Sequence, residues 1–259
     1  GVSRLIFDSH VHTCFSADSE MLAIDALDAA ERQGIGLVFT EHIDFEYPGG
    51  LDFTFSPEKY WQAYEAYRGP ALGLGVELGL VPGKAQRDQE FLARVPFDEV
   101  IGSIHLLDGK DLYEPAAYEG RSQEEAYLAY YRLMAAMVRE HPFIDVLGHI
   151  DYICRYAPYA DPGVHYELFT EAIDAVLRAA VETDTVMELN TRRFSDRLAM
   201  KELVAVYKRY HELGGRYVTL GSDAHSASAI GSSFALAAEF AAACQLQPVR
   251  FFERRLLRL

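Results

Sequence analysis

The segment Arg4-Leu-Ile-Phe-Asp-Ser-His-Val-His12 contains an apolar run and ends in two histidines separated by one residue. Its composition predicts a β-strand. Residues i and i+2 of a strand point to the same face, so His10 and His12 would present their imidazoles together. The arrangement recurs near the other end of the chain, where the β-rich run Tyr217–His225 ends in Asp223-Ala-His225. Each pair has residue types and spacing suited to binding one metal ion or two adjacent ions.

Five further β-rich runs lie between these two, and segments with helical periodicity separate most of them. The seven predicted strands are Arg4–His12, Gly36–His42, Ala71–Leu80, Glu99–Leu107, Asp145–Tyr152, Val186–Thr191 and Tyr217–His225. Alternating strands and helices predict a parallel sheet with right-handed crossovers. In 259 residues we expect a TIM-like (β/α)7 barrel, with an open doubly wound sheet as the alternative. Nothing in the sequence resembles the G-x-G-x-x-G fingerprint of dinucleotide-binding sheets.

Helix boundaries are marked by capping residues. Ser122-Gln-Glu-Glu125 is a capping box that predicts a helix from there to about Glu140, ended by His141-Pro142. Ser56-Pro57 places a cap before a proline at the first helical position. Gly214-Gly215 is expected to close a helix that begins near Asp196.

Composition and charge limit the classes of function. The chain has 24 Lys and Arg against 39 Asp and Glu, a net charge of −15, which argues against nucleic acids and anionic membranes as partners. Its three cysteines suggest a reducing compartment rather than a disulfide framework. No apolar run approaches the roughly 18 residues of a membrane span. We therefore expect one domain over residues 1–259, located in the cytoplasm.

Residue types that bind metals stand at the ends of nearly all the predicted strands. They are His10, His12, His42, Glu77, His105, His149, Asp223 and His225, and Asp18 follows in the loop after the first strand. The carboxyl ends of parallel barrel strands lie on one face, so these residues would converge in space. A single histidine at the end of a strand usually has a structural role, but so many metal-binding residue types at the strand ends predict a metal site. Imidazole and carboxylate ligands without thiolate suit zinc, iron or manganese.

Together these residues resemble the PHP (polymerase and histidinol phosphatase) superfamily. The motifs are Asp8-Ser-His10-Val-His12, Thr40-Glu-His42, Gly75-Val-Glu77, Ser103-Ile-His105, Gly148-His149-Ile-Asp151 and Ser222-Asp-Ala-His225. They follow the family's order from residue 5 to about residue 245. The resemblance implies a distorted seven-stranded (β/α) barrel that holds three divalent metal ions at the carboxyl ends of its strands.

The resemblance also implies how the ligands are shared among the ions. One ion would be held by His10, His12, Glu77 and Asp223. Glu77 would bridge to a second ion, held also by His105 and His149. The third ion would be held by Asp18, His42 and His225.

Two further segments resemble the stand-alone histidinol-phosphate phosphatases of this superfamily. They are Gly148-His-Ile-Asp-Tyr-Ile-Cys-Arg155 and Glu188-Leu-Asn-Thr191. In those enzymes an arginine after each segment contacts the phosphate, and Arg155 matches the first position. The second arginine is Arg192, Arg193 or Arg197, because Thr-Arg-Arg-Phe departs from the small, glycine-containing run of the family.

The leading hypothesis is a phosphomonoesterase that hydrolyses L-histidinol phosphate, a step of histidine biosynthesis, through a metal-activated hydroxide. Asp223, His225 and Arg155 would be catalytic, and the proton donor to the leaving group is either His225 or a metal-bound water. The alternatives are a PHP phosphoesterase for another small phosphate, such as a nucleotide or a sugar phosphate, and a non-catalytic metal-binding barrel. The stretch 44–55 with Tyr60-Trp61 would form an aromatic lid over the substrate, or else a buried loop and helix face. The oligomeric state is left open.

Overall fold

The computed structural model describes residues 5–259, so the predicted first residue of the first strand, Arg4, lies outside the described part. The strands are β1 (Phe7–Val11), β2 (Gly36–Ile43), β3 (Leu72–Gly79), β4 (Val100–Ser103), β5 (Leu106–Leu107), β6 (Lys110–Asp111), β7 (Val146–Leu147), β8 (Val186–Asn190), β9 (Tyr217–Gly221), β10 (Gln247–Phe252) and β11 (Arg255–Arg258). The helices are α1 (Ala23–Gln33), α2 (Pro57–Tyr64), α3 (Ala85–Leu92), α4 (Gln123–Glu140), α5 (Ile153–Tyr156), α6 (Thr170–Glu182), α7 (Arg197–Glu212) and α8 (Phe234–Ala243).

The main sheet has the order β1-β2-β3-β4-β7-β8-β9-β10-β11, and its strands are parallel except for the antiparallel pair β10 and β11. Each of the seven predicted strands contains an observed strand, which confirms an α/β fold with a mostly parallel sheet. The predicted count of seven is corrected to nine within residues 5–259, because β10 and β11 extend the sheet. The sequential strand order differs from that of a doubly wound sheet, which reverses direction at a switch point.

The two ends of the predicted strand series approach each other just beyond β1 and β9. Val11 and Ala224 form an isolated parallel bridge. The His12 amide donates to the Ala224 carbonyl at 2.9 Å, and the Asp223 amide donates to the His10 carbonyl at 2.8 Å. These bonds place the His10–His12 segment beside the Asp223–His225 segment.

Burial explains why the central strands are apolar throughout. Every residue of β2 and β3 is buried, as expected of parallel strands covered on both faces. Helix α4 packs against α6, and three tyrosines of α4 (Tyr127, Tyr130 and Tyr131) are fully buried. Among the described helices, none is both long enough and apolar enough to cross a membrane.

The predicted caps are present. The Ser122 hydroxyl accepts from the Glu125 amide at the start of α4, and the Ser56 hydroxyl accepts from the Lys59 amide at the start of α2. Asp196 caps α7, which ends at Glu212, two residues before the predicted Gly214-Gly215 stop. These side chains satisfy amides that have no partner within the helix.

The C-terminal hairpin is fastened to the rest of the sheet by the buried carboxylate of Asp98. Asp98 accepts two hydrogen bonds from the Arg68 guanidinium, at 2.9 and 2.7 Å, one from the Leu74 amide at 2.7 Å and one from the Glu253 amide at 3.0 Å. Because Glu253 lies in the turn between β10 and β11, this one side chain links the hairpin to the start of β3.

We expect Asp98→Ala to lower the free energy of unfolding by about 2–3 kcal/mol, since it leaves buried donors without an acceptor. Denaturant unfolding followed by circular dichroism measures the change. The control is Glu58→Ala, which breaks a bidentate pair with Arg94 on the surface and should leave stability almost unchanged. A loss for Asp98→Ala no larger than that of the control would contradict the assignment.

Candidate metal centre

The structure brings all nine predicted metal ligands together at the carboxyl ends of the strands. His10, His42 and Glu77 belong to β1, β2 and β3, and the others lie in the segments that follow a strand. Most of these side chains are fully or almost fully buried; His225 and Asp18 are the more exposed members. The convergence predicted from the strand pattern is therefore present.

The first ligand group is assembled around Glu77 Oε1 and Asp223 Oδ1. His10 Nε2 lies 3.0 Å from the first oxygen and 3.3 Å from the second. His12 Nε2 lies 3.1 and 3.2 Å from the same two atoms. Four atoms, one from each residue, lie close enough together to hold one ion.

The second ligand group uses the other oxygen of the same carboxylate. Glu77 Oε2 lies 3.2 Å from His105 Nε2 and 3.1 Å from His149 Nε2, and accepts a 2.7 Å hydrogen bond from the Ser103 hydroxyl. Glu77 thus offers one oxygen to each group, which is the arrangement a bridging ligand requires.

The third ligand group lies at the mouth of the site. Asp18 Oδ2 is 3.4 Å from His42 Nε2 and 3.2 Å from His225 Nε2. The His12 ring stacks against both of these imidazoles, with centroid distances of 4.0 Å to His42 and 4.4 Å to His225.

The spacing of the ligand atoms fits metal ions. Atoms around a tetrahedral ion with bonds of about 2.0–2.1 Å lie about 3.3 Å apart. The nitrogen–oxygen distances in the first two groups run from 3.0 to 3.3 Å. His12 Nε2 is buried and has no hydrogen-bond partner among the described residues. At this spacing, imidazole nitrogens and carboxylate oxygens can direct their lone pairs to one cation.

Four of the histidines are oriented by a partner on the other ring nitrogen. His10 Nδ1 lies 2.5 Å from Glu188 Oε2, and His12 Nδ1 lies 2.9 Å from the Ser16 hydroxyl. His105 Nδ1 lies 3.0 Å from Asp44 Oδ1, and His225 Nδ1 lies 2.8 Å from the Asp223 carbonyl oxygen. These contacts direct Nε2 of each ring to the ligand cluster. Such partners fix the tautomer and the ring orientation of a metal-binding histidine.

The strand pattern of the sequence does not assign Asp44 and Glu188 to the orientation of these histidines. Asp44 lies two residues after His42, and its position depends on Gly79, where a Cβ would stand 1.7 Å from Asp44 Oδ1. The i, i+2 spacing of His42 and Asp44 was the available signal. Glu188 was noted at the end of a strand, but only the fold places it beside His10.

The charges in the cluster shift the pKa values in opposite directions. Burial raises the pKa of Glu77, but His10, His42 and His105 lower it well below its ordinary value. Burial lowers the pKa of His10, whereas Asp223, Glu188 and Glu77 raise it well above its ordinary value. The carboxylates and the protonated imidazoles therefore stabilise each other's charged forms, and Glu77 stays ionised.

The structure separates the candidate arginines. Arg155 is almost buried, and its Nη2 lies 2.9 Å from Asp223 Oδ2 and 3.2 Å from Asn190 Oδ1. Arg192 lines the same cavity and donates to the Asp223 carbonyl at 3.2 Å. Arg193 is paired with Asp151 at 3.1 Å, and Arg197 is exposed at the first turn of α7. Neither of these two lines the cavity.

The cavity over the ligands has a volume of about 390 Å³. Tyr47, Leu51 and Phe53 from the predicted lid contribute to its wall. Tyr60 and Trp61 do not, which corrects the predicted extent of the lid. Tyr60 is fully buried, and its hydroxyl donates to the Gly75 carbonyl at 3.1 Å, so this part of the segment is core.

Comparison with known proteins gives three similarities. The PHP domain pattern matches residues 8–192. A probable histidinol-phosphatase of Clostridium acetobutylicum is 43% identical over 98% of this chain and 99% of that protein. A crystal structure of the Lactococcus lactis histidinol phosphate phosphatase, complexed with zinc, L-histidinol and phosphate, superposes with a TM-score of 0.91 at 28% identity, covering 98% of this chain and 99% of that one.

The relative and the solved structure each match nearly the whole chain, and together with the domain match they confirm the resemblance inferred from the motifs. The chain belongs to the PHP domain family.

Proposed function

We propose that this protein is a metal-dependent phosphomonoesterase that hydrolyses L-histidinol phosphate to L-histidinol and phosphate. The observation that carries the proposal is the convergence of nine ligand-type side chains, six of which line one cavity together with Arg155 and Arg192. The names of the relatives and the contents of the Lactococcus lactis structure support the choice of substrate.

The proposal assigns three divalent ions, of zinc, iron or manganese, to the three ligand groups. When bound, such ions polarise phosphoryl oxygens and lower the pKa of water. The protein contributes six imidazoles already oriented toward the centre and three carboxylates that stay ionised. Burial raises the pKa of Asp223, but His10 and Arg155 lower it well below its ordinary value.

Arg155 and Arg192 are proposed to bind the phosphoryl oxygens. A planar guanidinium matches two oxygens at once, which orients a phosphate as well as neutralising it. Arg155 Nε has no hydrogen-bond partner among residues 5–259, so it is free to receive an oxygen. Arg192 is about 43% exposed and lies over Asp223, from where it can turn toward the same group.

Asp223 and His225 are proposed as the catalytic pair. Asp223 Oδ2 holds Arg155, and the Asp223 carbonyl accepts the Nδ1 proton of His225 at 2.8 Å. Burial lowers the pKa of His225, but Asp18 and Asp223 raise it above its ordinary value. The ring is therefore kept in one tautomer beside the phosphate-binding arginines.

Closure of the sheet into a (β/α)7 barrel is part of the proposal. The Val11–Ala224 bridge supports it, since it joins the first and the seventh predicted strands at the level of the ligands. A cytoplasmic location fits a biosynthetic enzyme.

The test of the function is phosphate release from L-histidinol phosphate, compared with a panel of nucleotide and sugar phosphates. We expect a preference for L-histidinol phosphate of at least about 100-fold in kcat/KM. The His225→Ala variant should lose this activity. The variant also controls for contaminating phosphatases. A preference for another compound would support phosphomonoester hydrolysis but contradict L-histidinol phosphate as the substrate. Inactivity of the fully metal-loaded protein on all compounds would favour a non-catalytic barrel.

We expect removal of the metal by a chelator to abolish activity, and readdition of zinc, iron or manganese to restore it. Elemental analysis of the loaded protein should give about three ions per chain. His105→Ala should hold fewer ions, because it removes one ligand of the second group and frees Asp44. Full activity after verified metal removal would contradict the proposal.

The two arginines provide a matched comparison. We expect Arg155→Ala to lower kcat/KM by about 10²–10³-fold and Arg192→Ala by about 10–100-fold, since each loses contacts with the phosphoryl group. Arg197→Ala, exposed and outside the cavity, should keep the activity of the unaltered protein. If Arg192→Ala is as active as Arg197→Ala, Arg192 does not bind the phosphoryl group.

A further inference from the structure

Asp111 places an unpaired carboxylate in the wall of the cavity. It ends β6, in the short hairpin that follows His105, and its residue is 8% exposed. Its Oδ1 accepts a 2.9 Å hydrogen bond from the Tyr113 amide, and the nearby Tyr47 hydroxyl has its pKa raised by burial and by this carboxylate. Both partners are neutral, and the carboxylate makes no ion pair in the described part of the chain.

The other carboxylates that line the cavity differ from Asp111 in this respect. Asp18 lies against His42 and His225, Asp44 against His105, and Asp223 against Arg155. Each of them belongs to the ligand cluster or orients one of its members. A nearly buried carboxylate without a cationic partner is costly unless a charge arrives to compensate it.

The surroundings of Asp111 suit a cation with an aromatic group attached. Tyr113 and Tyr156 meet edge to face with centroids 4.8 Å apart, and Tyr47 and Phe53 do so at 4.6 Å. All four side chains line the cavity. Aromatic faces attract both ammonium groups and flat rings. This wall therefore complements the arginines, which supply positive charge for the other end of a ligand.

We infer that Asp111 is a specificity-determining residue that binds the ammonium group of the substrate while the phosphate lies at the arginines. The inference rests on the proposed function, because L-histidinol phosphate carries an amine on the carbon next to the phosphorylated one. A primary ammonium is fully charged at neutral pH, whereas an imidazole with a pKa near 6.5 is mostly neutral there. The negative charge of Asp111 therefore complements the ammonium group, and the tyrosines are available to contact the imidazole ring.

The test is Asp111→Asn, assayed with L-histidinol phosphate and with 3-(imidazol-4-yl)propyl phosphate, the same compound without the amine. Asparagine keeps an oxygen for the Tyr113 amide and loses only the charge. We expect the unaltered protein to prefer the amine-bearing compound by about 100-fold in kcat/KM, the size of a charge-assisted contact. In Asp111→Asn that preference should fall below about threefold, mainly through KM.

A binding measurement independent of turnover accompanies the kinetics. Calorimetric titration should show weaker binding of L-histidinol to Asp111→Asn, with the affinity for inorganic phosphate unchanged. The matched control is Asp108→Asn in the same hairpin, whose side chain is exposed and pairs with Arg121 outside the cavity. It should retain both the substrate preference and the product affinity.

The outcomes separate the inference from the function on which it depends. If Asp111→Asn keeps the full preference for the amine, or loses activity equally on both compounds, Asp111 does not read the ammonium and the inference is wrong. If the unaltered protein hydrolyses neither compound, the proposed function fails and the inference fails with it.

Discussion

The carboxylate of Glu77 is the constraint on which the arrangement of the site depends. Its two oxygens lie within 3.0–3.3 Å of nitrogens from five histidines, His10, His12, His42, His105 and His149, and the side chain has no exposed surface. Burying an ionised carboxylate costs several kcal/mol unless positive charge and hydrogen-bond donors surround it. The fold meets this requirement by directing the ends of neighbouring strands toward one point. The carboxyl ends of these strands therefore converge on one buried negative charge, the Glu77 carboxylate.

Three of the five rings around Glu77, those of His10, His12 and His105, are held by a partner on the opposite nitrogen. The strand ends bring the imidazoles to the centre, and this partner decides which ring atom points inward. Glu188 and Asp44 come from other strands or loops than His10 and His105, whereas Ser16 lies in the same loop as His12. A change in any of these positions would alter the direction of a ligand-type side chain without removing it. The precision of the site thus depends on contacts between segments far apart in the sequence as well as on contacts within one loop.

The convergence of the nine predicted ligands could be inferred from the sequence for two reasons. Alternate residues of a strand point to the same face, and the carboxyl ends of parallel strands lie on one face of the sheet. The C-terminal hairpin was not accessible in this way. Strand β10 contains Pro248 and Arg250, and the turn to β11 places Glu253 and Arg254 at φ values of 52° and 63° without the usual Asn-Gly signal. The choice among the three arginines also needed the fold. They lie within six residues of one another, and only the turn after β8 decides which one faces the cavity.

The distribution of charge in the cavity has a consequence for the direction of binding. The chain carries a net charge of −15, so its overall field repels a phosphate, and attraction must be local. Arg155 and Arg192 provide that attraction at one end of the cavity, beside carboxylates that the histidines already compensate. Asp111 carries an uncompensated charge elsewhere in the wall, so a reversed ligand would place phosphate against carboxylate. Because like charges in contact cost far more inside a cavity than in water, the proposed arrangement would discriminate orientation by repulsion as well as by attraction. A substrate with opposite charges at its two ends would then bind in one direction, with its phosphoryl group beside the ligand cluster.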